Sequence, residues 1–174
     1  MSTKVLELFA GSRSIGKAAQ ELCYDVFSSD INSCDDIDYV VDILEFDVSK
    51  VPFVPDFIWA SPPCTSYSIA AISHHRKDGI AVSEFAKKSD DMIMKLHDII
   101  DHFISINPSL VYYIENPRGM LRKMNFMRKH MVRHTVTYCQ YGDTRMKPTD
   151  IWTNTLFLIP RMPCKNGSPC HISA

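Results

Sequence analysis

A cysteine that directly follows two prolines is the residue of this chain best placed for nucleophilic chemistry. Residues 56–60 read Asp-Phe-Ile-Trp-Ala, a pattern typical of a strand buried on both faces. Pro62 and Pro63 end that strand because proline cannot donate to a sheet ladder, and Cys64 follows on the loop that they stiffen. A thiol held there is suited to nucleophilic attack; a half-buried structural cysteine is the alternative.

Three acidic residues fall at corresponding places in other predicted strands. Asp30 and Asp42 end two strands, and Glu115 follows a third. The carboxyl ends of parallel strands share one edge of a sheet, and ligands bind at that edge. We therefore expect the three acids and Cys64 to converge on one site.

The elements that must position these residues alternate between strands and helices. Strands are predicted at 4–9, 24–30, 39–42, 56–61, 110–114, 135–139 and 151–158. Helices are predicted at 13–22, 83–106 and 118–130. This alternation predicts an α/β fold with a doubly wound, mostly parallel sheet, and the last two strands could form an antiparallel hairpin.

Length and composition predict one soluble domain over residues 1–174, with residues 158–174 as an irregular tail that contains Cys and Pro. A net charge of −1 gives no global attraction to nucleic acid, so any such contact must come from a local patch. The six cysteines are irregularly spaced, and neither a signal peptide nor a membrane-spanning apolar run is seen. We therefore expect a cytoplasmic, reducing location and no membrane partner.

The first strand and the helix after it form a candidate nucleotide-binding element. The turn at Gly11 leaves free backbone N–H groups beside a ligand, and an acid such as Asp30 on the next strand can hold ribose hydroxyls. The chain has no GxGxxG motif and no Walker lysine, so a dinucleotide or a nucleoside triphosphate is not indicated. An adenosine-like ligand remains open, as does a simple tight turn with solvent-facing acids.

Four short motifs occur in the order known from one enzyme family. They are Leu8-Phe9-Ala10-Gly11, Ser61-Pro62-Pro63-Cys64, Glu115-Asn116 and, more loosely, Tyr141-Gly142 with Arg145. Over roughly residues 4–158 the chain resembles the C5-cytosine DNA methyltransferases. The resemblance implies a sheet of the S-adenosylmethionine-dependent methyltransferase type. It also implies methylation of cytosine C5 in DNA through a covalent adduct of Cys64 at C6.

The resemblance also assigns roles to individual residues. Asp30 would bind the ribose of S-adenosylmethionine and Asp42 the adenine amino group. The implied cofactor-binding residues are Phe9, Ala10, Gly11, Ser12, Asp30, Ile31, Asp42, Ile43 and Pro62. Glu115 would act at N3 of the cytosine, while Asn116 and Arg145 would help to fix its pocket.

Attack at C6 requires a flipped or single-stranded cytosine, so contacts to the DNA backbone are expected. Residues 118–133 contain six Lys or Arg and no acid, although such a run can also be only a solvated face. His74 to Lys77 lie in a predicted mobile loop. The candidate nucleic-acid-binding residues are Ser66, Arg76, Lys77, Arg118, Arg122, Lys123 and Lys147.

Two other functions stay open at this point. One is the same chemistry on RNA, because the pocket sees mainly the base. The other is a module without catalysis that binds the cofactor or nucleic acid and works with a partner. The family's large target-recognition region has no counterpart here, so we expect sequence selectivity to be either poor or supplied by a protein partner.

The tail contains a second candidate site. Cys139, Cys164, Cys170 and His171 are groups that can form a structural zinc site and fix a loose C-terminus. Their spacing differs from the usual Cys-x-x-Cys pattern, so unligated residues in a proline-rich tail are the alternative.

Overall fold

Strands and helices alternate along the chain as the apolar pattern predicts. The computed structural model describes residues 2–34, 36–127 and 131–172. The helices are α1 (Ser14–Glu21), α2 (Ile72–His75) and α3 (Glu84–Ile106). The strands are β1 (Lys4–Leu8), β2 (Asp25–Asp30), β3 (Tyr39–Val40), β4 (Phe57–Ala60), β5 (Arg76–Lys77), β6 (Ile80–Ala81), β7 (Val111–Pro117), β8 (Val132–Thr137) and β9 (Pro148–Thr153).

A seven-stranded sheet in the order β3-β2-β1-β4-β7-β9-β8 organises the fold. The first five strands of that order pair in parallel, and β9 runs antiparallel to both β7 and β8. The predicted α/β fold with a doubly wound, mostly parallel sheet is confirmed, as is the antiparallel pair at its end. Reversal of β9 brings residues from the last third of the chain beside β7.

The two long helices cover opposite faces of the sheet. Leu6 and Leu8 are fully buried in the cluster that includes Ile93 and Leu96 of α3. Glu7, between them in β1, points to the other face, where its carboxylate lies against Gly16 of α1. The central strands are therefore enclosed on both sides, and only their ends are available for chemistry.

Three elements differ from the sequence-based expectation. The predicted helix at 118–130 is wrong over its described part, which instead forms short 3₁₀ turns at Met120–Lys123 and Asn125–Met127; residues 128–130 lie outside the described residues. Extended backbone at Met124 separates the two turns, because Leu121 and Met127 both reach the core. The last two strands begin three residues earlier than predicted, at Val132 and Pro148.

The prediction that residues 74–79 form a loop is also wrong. It contains the end of α2 and most of the β5–β6 hairpin, in which Arg76 pairs with Ala81. None of the described helices has the length and apolarity needed to cross a membrane.

Candidate active site

A cavity opens at the carboxyl ends of β1 to β4, where the sequence predicts a cofactor. Five of the predicted cofactor residues line it, and strand ends and α3 complete its wall. The lining residues are Phe9, Ser29, Asp30, Ile31, Asn32, Val41, Asp42, Ile43, Ser61, Pro63 and Met92. The other predicted residues lie beside this wall, since Ala10, Gly11 and Ser12 follow Phe9, and Pro62 precedes Pro63.

The turn after β1 is bound to the end of β2. Phe9 and Gly11 adopt left-handed backbone conformations, with φ of 55° and 51°. The Gly11 N–H donates to Asp30 Oδ2 at 2.9 Å, and the Asn32 N–H donates to Oδ1 at 2.8 Å. The Asp30 carboxylate therefore holds two loops together at the cavity edge and keeps lone pairs for a ligand hydroxyl.

Arg13 turns away from the cavity and into the protein. Its guanidinium Nε donates to Ser28 Oγ at 2.9 Å, and Ser28 Oγ donates to Glu7 Oε2 at 3.1 Å. Burial raises the pKa of Glu7 above its usual range. This buried network joins β1, β2 and the start of α1 beneath the turn that follows β1.

Asp42 carries a negative charge at the far end of the cavity. Its carboxylate accepts hydrogen bonds from Lys88 Nζ at 2.8 Å and from the Leu44 N–H at 3.1 Å. The hydrogen bond from Lys88 is the main reason why the pKa of Asp42 lies below its usual value. Asp42 is thus an ionised acceptor, as recognition of an adenine amino group requires.

Cys64 lies on a turn that is fixed on both sides. Asn116 is fully buried in β7, and its side-chain amide donates to the Pro62 carbonyl at 2.8 Å. The Cys64 carbonyl accepts from the Tyr67 N–H at 3.0 Å, starting the 3₁₀ turn Thr65–Tyr67. Cys64 itself is half-buried, so its thiol is not sealed in the core.

A buried ion pair supports this turn from below. Arg76 donates to the Ser66 carbonyl at 3.0 Å and to Asp90 on α3 at 2.6 and 3.0 Å. The guanidinium also lies 4.4 Å from the centre of the Tyr67 ring, and the Tyr67 hydroxyl donates to Asp90 at 2.7 Å. The turn after Cys64 is therefore joined to the longest helix through charge-assisted bonds.

Glu115 lies in β7, one residue after the last pair that β7 forms with β4. Ala60 pairs with Ile114, so Glu115 and Cys64 emerge at the same edge of neighbouring strands. The Tyr138 hydroxyl donates to Glu115 Oε1 at 2.9 Å, and burial is the main cause that raises the pKa of Tyr138 to about 12. Tyr138 therefore remains a protonated donor at neutral pH.

Glu115 also borders a second, mostly apolar cavity. Its lining comes from α1, from the strands around β7 and from the segment after β9: Ile15, Trp59, Glu115, Val136, Tyr138, Tyr141, Asp143, Ile151, Leu158 and Pro160. Trp59 Nε1 donates to Ser61 Oγ at 2.9 Å, and Ser61 lines the first cavity. One lining residue of each cavity therefore lies at the end of β4, which leads directly into Pro62, Pro63 and Cys64.

Comparison with known proteins relates this arrangement to nucleic-acid methyltransferases. No family model matches the chain. A protein of Frog virus 3, described as a "Probable DNA (cytosine-5)-methyltransferase", is 29% identical over 172 residues, which cover 96% of this chain and 77% of that protein. The resemblance to the C5-cytosine DNA methyltransferase family is confirmed.

Solved structures with the same fold include several methyltransferases. A variant of Spodoptera frugiperda DNMT2 has a TM-score of 0.60 at 18% identity, covering 97% of this chain and 57% of that one. The Entamoeba histolytica methyltransferase EhMeth has a TM-score of 0.64 at 15% identity, covering 90% of this chain and 54% of that one. The sheet is thus of the methyltransferase type, and the chain spans slightly more than half the length of these two structures.

The methyltransferase fold uses three of the predicted nucleic-acid-binding residues internally. The Arg76 side chain and Ser66 are fully buried beneath the Cys64 turn, so neither can contact a phosphate. Arg122 forms an ion pair with the fully buried Asp150. For Ser66 and Arg76 the expected phosphate contact does not fit this burial, whereas for Arg122 it stays a prediction, because the Arg122 side chain is 19% exposed.

The other basic residues are at the surface. Lys77, Arg118, Lys123 and Lys147 are exposed, and Lys147 Nζ lies 5.0 Å from the centre of the Tyr138 ring. Arg145, predicted to help fix the cytosine, is also exposed and pairs with Asp143 on its own loop at 3.1 Å.

The tail residues predicted to bind zinc come together in the fold. One potential ligand atom from each of Cys139, Cys164, Cys170 and His171 lies within 4.8 Å of the others. The structure also identifies site residues that the sequence-based analysis missed. Tyr138, Tyr67 and Asp90 meet partners 14 to 23 residues away in the chain, and no local motif indicates such contacts.

Proposed function

We propose that the protein methylates C5 of cytosine in DNA, with S-adenosylmethionine as the methyl donor and Cys64 as the nucleophile. The sequence similarity and the fold support cytosine-5 methyltransferase activity. The observation that carries the residue-level proposal is the wall shared between the cofactor cavity and the Cys64 loop. Ser61 and Pro63 line the same cavity as Asp30 and Asp42. A methyl donor whose adenosine part contacts these acids would lie beside the nucleophile.

The residues of the cavity suit the adenosine part of the cofactor. Ile31 is 58% exposed at its edge and offers an apolar surface to the adenine ring. Asp30 would bind ribose hydroxyls, and Asp42 would accept from the adenine amino group. Bound there, S-adenosylmethionine supplies an electrophilic methyl group on its sulfonium sulfur.

In the proposed reaction Cys64 prepares the cytosine for methylation. Its thiolate forms a bond to C6, and the electron pair of the C5–C6 double bond moves toward C5 and N3. C5 then takes the methyl group, whose former bonding pair stays on the donor sulfur. Transfer of the C5 proton to solvent would restore the C5–C6 double bond and expel the Cys64 thiolate.

Glu115 would stabilise the charge that develops on the ring. One of its oxygens accepts from Tyr138, which leaves the other to interact at N3 of the cytosine. Asn116 is assigned a different role from the one first expected, because its amide holds the Pro62 carbonyl and so positions the Cys64 loop. Arg145 would close the cytosine pocket only after leaving Asp143.

The surface lysines and arginines would provide phosphate contacts. Lys77, Arg118, Lys123 and Lys147 are the exposed members of the original set. Because the net charge of the whole chain is −1, attraction of DNA would have to come from such surface cations and not from the overall charge. Target selection by a protein partner remains part of the proposal.

Methylation of RNA is the alternative, because the proposed chemistry acts on the base alone. DNA is preferred because the Frog virus 3 relative is described as a DNA methyltransferase. A cofactor- or nucleic-acid-binding module without catalysis is a further alternative. A half-buried Cys64 on a fixed turn favours the enzyme, because binding alone requires no nucleophile.

Trapping on 5-fluorocytosine separates these functions. Fluorine replaces the C5 hydrogen that must leave as a proton, so the adduct between Cys64 and C6 should persist through denaturing electrophoresis. Matched DNA and RNA oligonucleotides are incubated with S-adenosylmethionine and with the parent protein, Cys64→Ser or the control Cys23→Ser, which changes an exposed cysteine after α1. We expect an adduct on DNA with the parent and the control only. An adduct on RNA alone would show that the protein methylates RNA. No adduct on either oligonucleotide would support a binding module without catalysis.

Replacing the proposed ring-stabilising acid provides a second test. Glu115→Gln keeps the size of the side chain and an oxygen that can accept from Tyr138 but removes the carboxyl group that could deliver a proton to N3. We expect kcat to fall by about 10²-fold or more, as for loss of a general acid, with the cofactor dissociation constant nearly unchanged. Single-turnover methyl transfer and calorimetry measure the two quantities. Equal turnover by variant and parent would remove Glu115 from the mechanism.

A further inference from the structure

We propose that Cys139, Cys164, Cys170 and His171 bind one zinc ion, and that this ion fastens the C-terminal segment to the turn beside Glu115. The ligands come from two parts of the chain. Cys139 lies in the 3₁₀ turn Tyr138–Tyr141, and the other three lie in residues 164–171. A metal bound to all four would cross-link the tail to the sheet.

The spacing of the ligand atoms fits a tetrahedral zinc site. Cys170 Sγ lies 3.7 Å from both Cys139 Sγ and His171 Nδ1, and Cys164 Sγ lies 3.3 Å from His171 Nδ1. With Zn–S near 2.3 Å and Zn–N near 2.0 Å, a tetrahedron has edges of about 3.8 Å between sulfurs and about 3.5 Å between sulfur and nitrogen. Cys164 and Cys170 approach more closely, at 3.0 Å, which is still well beyond a disulfide bond of about 2.05 Å.

The donor set selects the metal. Three thiolates and one imidazole form one of the usual ligand sets of structural zinc, whereas Mg²⁺ and Ca²⁺ prefer oxygen. Four protein ligands also leave no open coordination position, so the ion would have a structural role and not a catalytic one.

The tail has few packing contacts to hold it in place. Phe157, Ile159 and Met162 are 92%, 90% and 84% exposed, while Leu158 and Pro160 are half-buried. Arg161 contacts Tyr141 and Gln140, and the contacts farther along the tail are mainly single hydrogen bonds. The Cys164 N–H donates to Thr137 Oγ1 at 2.9 Å, and the Ile172 N–H donates to the Thr144 carbonyl at 2.8 Å. Bonds to a metal would supply the stability that packing does not.

The site lies directly beside a residue that contacts the proposed catalytic acid. Cys139 follows Tyr138, whose hydroxyl donates to Glu115. Zinc would therefore also fix the backbone that positions Tyr138. This last link rests on the proposed function, while the metal site itself does not.

Metal content and tail protection test the inference without any measurement of methyl transfer. The chain is purified without a polyhistidine tag, under reducing conditions and without chelator, and its zinc is measured by mass spectrometry. Cobalt is then substituted for zinc to obtain the absorption spectrum of the site. Cys170→Ser and His171→Ala remove single ligands, and Cys23→Ser is the matched control because it changes an exposed cysteine outside the cluster.

We expect about one zinc per chain, a tetrahedral cobalt spectrum with thiolate charge-transfer bands, and near-complete loss of metal in the two ligand variants only. Removal of zinc should speed tryptic cleavage after Arg161 and Lys165 by about tenfold or more, since the tail would be released. If a ligand variant fails to fold, the cobalt spectrum of the parent protein still decides the question. The proposal would be overturned if the protein contained no zinc and, with its thiols reduced, took up no cobalt. Ligand variants that still bind the metal would also overturn it. So would a disulfide bond between Cys164 and Cys170 in the purified protein.

Discussion

The hydroxyl of Tyr138 donates a hydrogen bond to one of the two carboxylate oxygens of Glu115. With its pKa raised to about 12, chiefly by burial, Tyr138 donates this hydrogen bond throughout the neutral range. The bond fixes the plane of the carboxylate, so the second oxygen points in a set direction. For a group proposed to act at N3 of a flat ring, that orientation determines how well it stabilises the transition state.

Tyr138→Phe tests this positioning role. The variant keeps the ring beside Lys147 but removes the hydroxyl. A hydrogen bond contributes about 0.5–1.5 kcal/mol, so we expect kcat to fall by about two- to tenfold while the cofactor dissociation constant stays within about twofold. Single-turnover kinetics and calorimetry measure these values, with Tyr24→Phe as the control, because Tyr24 is an exposed tyrosine just before β2. A variant with the parent rate would show that Glu115 is oriented by other contacts.

At the scale of elements, the turn after Cys64 is supported by three parts of the fold. Asn116 of β7 holds Pro62, and Arg76 of β5 holds Ser66 and pairs with Asp90 of α3. Gly119 approaches so closely that a Cβ built there would lie 2.4 Å from the Tyr67 carbonyl oxygen. The turn that carries the proposed nucleophile is thus positioned by elements that lie elsewhere in the sequence.

Asp90→Asn tests the contribution of the buried ion pair. The Arg76 side chain is fully buried, and loss of its charged partner leaves an uncompensated cation. Breaking a buried ion pair in this way destabilises proteins by about 3–5 kcal/mol. The asparagine side chain can still accept a hydrogen bond from Arg76, so we expect a loss near the lower value. The free energy of unfolding in urea measures it. Glu84→Gln breaks an exposed pair with Lys87 and should cost less than about 1 kcal/mol; equal effects in the two variants would contradict a special role for Asp90.

Gly119→Ala tests the close approach at the turn itself. The backbone of Gly119 is extended, so alanine brings no torsional strain and acts only through its methyl group. That group would push against the Tyr67 carbonyl and displace the turn that carries Cys64. We expect slower adduct formation on 5-fluorocytosine with nearly unchanged cofactor affinity, because the cofactor cavity is not lined by either residue. An unchanged rate of adduct formation would show that the turn can relax without moving the thiol.

At the scale of the whole molecule, stability depends on a histidine in the long helix. Burial lowers the pKa of His97 below its usual value, although the charges of Asp101 and Asp98 act in the opposite direction. His97 is therefore neutral in the folded protein, while in the unfolded chain it takes up a proton near pH 6.5. The stability that depends on neutral His97 is present above that pH and is lost as the pH falls further.

His97→Gln tests this pH dependence. Glutamine has a similar size and does not titrate, so the free energy of unfolding of the variant should change less between pH 7 and pH 5 than that of the parent. His102→Gln is the control, since it changes an exposed histidine of the same helix. Denaturant titrations at several pH values measure the slopes. Parallel pH profiles for parent and His97→Gln would show that other groups cause the acid sensitivity.

The sequence was sufficient to predict the places of Asp30, Cys64 and Glu115. Asp30 ends β2, Cys64 follows β4, and Glu115 lies in β7 just past its pairing with β4, so the parallel order brings all three toward one edge. The sequence-based prediction ended this last strand at residue 114, whereas β7 continues to Pro117 because β9 pairs with it. The sequence was not sufficient for Arg76 and Arg122, since their partners Asp90 and Asp150 lie 14 and 28 residues away. A run of basic residues shows charge but not the buried acid that neutralises part of it. The tail cluster was predicted from its residue types, although 31 residues separate Cys139 from Cys170.

The short strand β5 has a further consequence. Its two residues, Arg76 and Lys77, point to opposite sides, one into the protein beneath the Cys64 turn and the other to solvent. On the proposed function, a phosphate bound by Lys77 would lie one residue along the chain from Arg76, whose guanidinium supports the turn that carries Cys64. The binding of a nucleic-acid strand and the support of the proposed nucleophile would then share one two-residue strand.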